Sequence, residues 1–230
     1  MTLYFLSTLL AAFLILDMTY IGQFMLSEPL FMLPLLGAVS GHTAEGITAG
    51  MNLEFIFLGR LAVGASIPPS AAFSGAVFWG GFLLTRGDGA WVMPALFFPS
   101  VIAGYWGRSI DHFFRKLHNE WAEAAFEAFG KHGKYSFFLG QGLVSAGVFV
   151  FINWVSILLL SWSVHKIAVW SAPLWQNFFQ EHYLLMIWKA MPVMTVLFLL
   201  DRFNDRKNNP YLVGGILAGL TAGGILWAIL

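Results

Sequence analysis

Charged side chains are spread so unevenly along this chain that the gaps between them define its elements. Six stretches, 1–16, 29–44, 61–85, 89–107, 135–165 and 208–230, contain no Asp, Glu, Lys or Arg, and they hold 130 of the 230 residues. A bilayer core about 30 Å thick takes roughly 20 apolar helical residues to cross. Runs this long and this frequent predict several membrane-embedded helices rather than one anchor. The opening run, MTLYFLSTLLAAFLILD, has neither the basic start nor the small-residue cleavage site of a signal peptide, so it is expected to form the first membrane helix.

The charges that remain are concentrated. Fourteen of the 24 lie in 108–134 and 201–207, which carry eight of the 12 Lys and Arg, so both stretches are expected on the cytoplasmic side. Over 108–134 the apolar positions Ile110, Phe113, Phe114, Leu117, Trp121, Ala125 and Ala128 recur at helical spacing. Asp111, Arg115, Asn119, Glu120, Glu123 and Glu127 fall opposite them. This pattern predicts an amphipathic helix along the membrane surface or against a partner, ended by Gly130 and Gly133. It divides the chain into an N-terminal membrane half, 1–107, the cytoplasmic segment 108–134, and a C-terminal membrane half, 135–230. Within the latter, 136–163 and 183–200 cross out and back. The aromatic stretch between them, with Pro173, reads as an interfacial helix, and the Gly-rich run 211–230 as a closely packing one.

Composition narrows the class further. The chain is 58% apolar, 17% aromatic and 10% charged, which excludes disorder, and its net charge of zero provides no field for nucleic acid. With no cysteine there is no disulfide, thiolate metal site or cysteine nucleophile. The six histidines are too scattered for a metal site. No G-x-S-x-G or H-E-x-x-H motif is present, so nothing in the chain calls for a cofactor, a metal or a catalytic residue.

Between 46 and 85 the pattern changes. GITAGMNLEFIFLG and AAFSGAVFWGGFLLT, each about 21 Å as a helix, are too short to cross, and RLAVGASIPPS lies between them. Consecutive prolines at 68 and 69 forbid a continuous helix, and Ser70 is placed to cap a new one. Two half-length helices around a Gly- and Pro-rich bend predict a re-entrant hairpin, the arrangement that builds substrate sites in transporters. Within it, Glu54 and Asn52 offer the carboxylate and amide that a polyhydroxylated ligand needs, with Arg60, Ser66 and Ser70 beside them. The competing reading makes Glu54 a brace for the hairpin, held by Arg60 or a partner. Capping by itself would account for Ser70.

The run EPLFMLPLLGAVSGHTAEGITAGMNLEFIFLGRLAVGASIPPS resembles the signature stretch of IIC subunits of the mannose/fructose/sorbose family of the bacterial sugar phosphotransferase system. The matching elements are Leu53-Glu54, Leu58-Gly59, Val63-Gly64-Ala65-Ser66 and Pro68-Pro69; Glu28, His42 and Ser70 depart from the pattern. The resemblance implies a multi-pass permease subunit of the bacterial cytoplasmic (inner) membrane. It would pair with a IID-type membrane subunit in an oligomer and take a hexose, which a separate IIB phosphocarrier protein phosphorylates during uptake. The subunit alone would not be an enzyme but the membrane component of a phosphotransferase complex. Taken with the pattern, the expected fold is all-α: a polytopic membrane protein with a re-entrant helical hairpin and a surface amphipathic helix. The alternative is a non-transporting membrane scaffold or sensor that keeps that fold.

Overall fold

The structure, a computed structural model, describes residues 1–22, 24–58, 68–85, 89–132 and 135–202. The bend at 59–67, with Arg60 and Ser66, lies outside the described residues, and so do the loop at 203–209 and the Gly-rich run at 211–230. Met1–Trp188 forms one compact unit and Lys189–Leu230 a second, whose described part is helical.

Among the described residues there is no strand. The elements are α1 (Thr2–Leu16) with a π-helical turn at Asp17–Ile21, α2 (Pro29–Ser40), α3 (Thr43–Leu58), α4 (Ala71–Thr85), α5 (Val92–His132), α6 (Tyr135–Phe178) and α7 (Glu181–Arg202). Thr2–Tyr20 and Gly140–Phe178 are long and apolar enough to cross a membrane. α3 and α4, at 16 and 15 residues, fit the two half-length runs expected from the sequence.

α4 carries no polar face: its residues from Ala72 to Phe82 are all buried, so it is the central helix of the first unit. α1, α5 and α6 surround it. Lipid is as apolar as leucine, so close van der Waals packing rather than water exclusion must hold such helices together. Gly80 and Gly81 allow this approach, since a Cβ on Gly80 would collide with Ser161 and one on Gly81 would lie 3.0 Å from Leu96. Phe73, Phe78, Trp79, Phe97 and Phe149 fill the space between the helices. α1 is tied to α6 by bonds from the Tyr4 hydroxyl to the Leu158 carbonyl (3.0 Å) and from Trp154 Nε1 to Thr8 Oγ1 (3.2 Å).

Three sequence expectations meet a different arrangement. The amphipathic stretch is no separate element, because the helix that begins at Val92 continues through it to His132 without a break. Its buried side is also rotated from the expected one: Ile110, Asp111 and Phe114 face inward, whereas Phe113 is 57% exposed. The expected interfacial helix likewise continues α6, which passes through Pro173 to Phe178. Glycine and aromatic residues at the expected boundaries do not stop a helix when the i to i−4 ladder on each side is intact, and Pro173 lies close enough to the end to break little of it.

Candidate functional site

α2 and α3 form an antiparallel hairpin whose backbones touch. The turn is made by Gly41 at φ 79°, a left-handed conformation that closes α2. Glycines face one another along the seam: a Cβ on Gly50 would lie 2.6 Å from the Pro29 carbonyl oxygen, and one on Gly46 would strike that of Leu33. This close seam brings the N-terminus of α2 beside the C-terminal half of α3. There the Leu30 backbone N–H donates to Glu54 Oε2 (3.3 Å). Leu30 is in the first turn of α2, where N–H groups have no partner within the helix, so Glu54 caps α2 and faces its positive end. Glu28, which precedes α2, is close enough to repel the same carboxylate.

Asn52 lies two residues earlier, about 200° around the helix from Glu54 at 100° per residue. The two side chains expected to share a ligand thus leave α3 on opposite sides. Asn52 is buried; its Nδ2 donates to the Trp188 carbonyl (3.2 Å), and its Oδ1 has no hydrogen-bond partner among the described residues. The Trp188 ring stacks on Phe78 and meets Phe97 edge-on. A buried amide oxygen left unpaired costs about 1–3 kcal/mol, so this acceptor is a marked feature of the interior.

Ser70 is the N-cap of α4, as its position before the apolar run suggested. Its Oγ accepts the Phe73 N–H (3.2 Å), while its own N–H donates to the Gly104 carbonyl (2.9 Å). Gly104 is where the two half-length helices converge: a Cβ there would lie 3.4 Å from the Phe57 ring at the end of α3 and 2.9 Å from the Ser70 carbonyl oxygen. Gly107, one turn on, lies against Phe73 and Ser70. The next turn on this face of α5 brings Asp111, which is 9% exposed. Sequence reasoning missed this residue because Arg115, Asn119 and Glu123 follow it in register and make the face read as solvated. The signal that would have found it is the Gly104, Gly107, Asp111 spacing, small residues that admit another helix followed by an acid on the same side.

Of the expected site residues, Glu54, Asn52 and Ser70 are described, and they occupy three different environments: the α2 N-terminus, the aromatic interior and the start of α4. Arg60 and Ser66 are outside the described residues.

Comparison with known proteins gives three findings. A family model described as the PTS system sorbose-specific IIC component matches residues 1–218. No curated protein sequence matches. Among solved structures, one described as a membrane protein is similar at 18% identity and a TM-score of 0.63, and the mannose transporter ManYZ in complex with microcin E492 at 20% and 0.53. Each similarity covers 99% of this chain and 91% of the other.

Proposed function

The chain belongs to the sorbose-specific IIC family of the sugar phosphotransferase system, and from that premise we propose that it binds a hexose inside the bilayer and hands it to a separate IIB protein for phosphorylation. It is a membrane permease subunit of that sugar system. The reading places it in the bacterial cytoplasmic membrane, crossing several times, beside a IID-type membrane subunit in an oligomer.

The observation that carries this reading is the convergence of α3 and α4 on Gly104. Two half-length helices that end against the same point of a third are the arrangement that places helix-end groups within reach of a ligand in transporters. Asn52 supports it with an unpaired buried acceptor. Glu54, which leaves α3 on the side away from Asn52, keeps a second carboxylate oxygen beyond the one that accepts Leu30 and would meet the ligand from the α2 side. Ser70, which caps α4, stands at the start of that second helix; Arg60 and Ser66 lie outside the described residues. A second membrane subunit has an apolar face to pack on along α6, where Leu143, Phe151, Leu159 and Trp170 are exposed and would otherwise meet lipid.

Glu54→Gln tests the site. The amide oxygen of glutamine still accepts the Leu30 N–H, so the α2 cap is largely kept while the charge is lost. Hydrogen bonds to a charged group are worth about 1.5–3 kcal/mol, so hexose affinity should fall about tenfold or more while the complex with the partner subunit assembles normally. Isothermal titration on the purified complex measures the first quantity and size-exclusion yield the second. A joint loss of yield and association would make Glu54 a brace instead, and full affinity in a well-assembled variant would remove it from the site.

A further inference from the structure

One exposed side of α5 changes character twice along its length. Its first zone is apolar, with Phe98, Ile102 and Tyr105 exposed. At 100° per residue, Arg108, His112, Arg115 and Lys116 continue the same sector, about 140° wide, as a basic zone. Glu120, Glu123 and Glu127 then make it acidic. The opposite side, with Gly107, Ile110, Asp111 and Phe114, is buried against the bundle. Each exposed zone is about 10–12 Å long, at 1.5 Å per residue.

This order is that of a bilayer leaflet: hydrocarbon, headgroups, water. Tyr105 and the neighbouring Trp106, 54% and 57% exposed, stand at the first boundary, where amphipathic rings gather. A second helix leaves the apolar layer at the same depth. The charge-free run of α1 ends at Asp17, and one turn on the Tyr20 hydroxyl lies 2.8 Å from Ser145 Oγ, which is itself 3.2 Å from His118 Nδ1. α1 and α5 both run antiparallel to α6, as the contacts of Tyr4 with Leu158 and of Phe114 with Phe149 show, so Asp17 lies about level with Arg115. Two helices thus pass from apolar to charged surroundings in the same layer, and the basic zone of α5 belongs to the headgroups.

Among the described residues none of Arg108, His112, Arg115 and Lys116 forms a hydrogen bond or an ion pair, and Arg115 alone feels the buried Asp111 carboxylate. The glutamates beyond them repel anions, which keeps that end of α5 standing in water instead of lying along the membrane surface. A molecule that covers the apolar and basic zones together must carry hydrocarbon and negative charge in one body. We propose that this face of α5 binds an anionic phospholipid, with an acyl chain along Phe98, Ile102 and Tyr105 and the phosphate at Arg108 and Lys116. The Arg108 guanidinium offers paired donors to phosphate oxygens, and Lys116 adds a point charge. A free phosphate or an acidic protein would use the basic zone and leave the aromatic one bare. The bound lipid fixes the depth at which α5 leaves the bilayer, whatever ligand the bundle carries.

The full chain, purified with its co-expressed membrane subunit, is titrated in detergent with phosphatidylglycerol and with phosphatidylcholine of the same acyl chains, and native mass spectrometry resolves the first lipid bound. A basic side chain at an anionic headgroup is worth about fivefold in binding. The first phosphatidylglycerol should therefore bind about fivefold or more tighter than the first phosphatidylcholine, and salt should erode this preference. Arg108→Gln combined with Lys116→Gln should bring the two lipids within about twofold of each other. Arg115 is kept because it balances Asp111. Ile102→Asn should weaken both lipids together, and Lys166→Gln, which removes a cation from α6, should leave the preference intact. Equal first-site affinities in the wild type overturn the proposal and leave the basic face to an acidic protein. A loss in Lys166→Gln as large as in the double variant also overturns it, since net charge would then be the cause. So does full displacement by glycerol phosphate, which has the charge without the chains. Where the double variant fails to fold, a photoreactive phosphatidylglycerol decides on the wild-type chain: cross-links within 98–116 support the site, and cross-links confined to other helices refute it.

Discussion

At the scale of single residues, this protein is organised by where a Cβ is forbidden. Gly37, Gly46 and Gly50 bring α2 and α3 into backbone contact, and the atoms that a Cβ would meet at Gly46 are backbone, which cannot move aside as a flexible side chain does. Gly46→Ala should therefore destabilise by roughly 1–3 kcal/mol as an overpacked contact, read as a lower melting temperature in detergent. Gly130, near the end of α5, has nothing within 4 Å of a Cβ position, and Gly130→Ala should be neutral or slightly stabilising, because alanine is the better helix former. Equal loss in the two variants would mean that the α2–α3 seam is not a special contact. The same scale separates the acids. Glu54 caps a helix, Asp17 ties down the chain at Phe24 and Leu26, and Asp111 accepts no hydrogen bond from the described residues, three states that the letters Asp and Glu do not distinguish.

At the scale of elements, the unexpected feature is length. α5 has 41 residues and α6 has 44, so each is about 60–66 Å long, twice the thickness of the hydrocarbon core. Both must extend beyond the bilayer, and by the positive-inside rule the basic residues at the α5 end are expected on the cytoplasmic side. The chain has no cysteine, so single cysteines report cleanly. A cysteine at Glu127 should resist a membrane-impermeant thiol reagent in intact cells, and one at Phe178, which is 78% exposed, should react. The reverse pattern would invert the topology, and protection of both would mean that α6 does not cross. Half-length helices were legible as short apolar runs bounded by Glu45, Arg60 and the prolines. The continuity of α5 was not, since a change from apolar to amphipathic composition alters which side of a helix is wetted but leaves its hydrogen-bond ladder intact.

At the scale of the whole molecule, the outer face of α6 carries Phe151, Leu159, Trp162 and Trp170, an apolar side that lipid or a second membrane subunit would cover. Co-expression with a IID-type subunit should yield one complex that survives mild detergent. A stable sugar-binding homo-oligomer recovered without any second subunit would contradict it. What the sequence determined by itself was the class: charge-free runs of membrane length, two runs too short to cross, an N-cap at Ser70 and the family signature all follow from composition and spacing, which local physics reads directly. What the tertiary structure decided was which polar groups face each other. Asn52 and Glu54 are neighbours in the chain but diverge around α3, while Asp111, some forty residues beyond the N-cap at Ser70, lies one helical turn from where α5 touches it. Proximity between elements depends on glycine contacts that bring two backbones together, and those pairings join positions far apart in the chain, which no local pattern records.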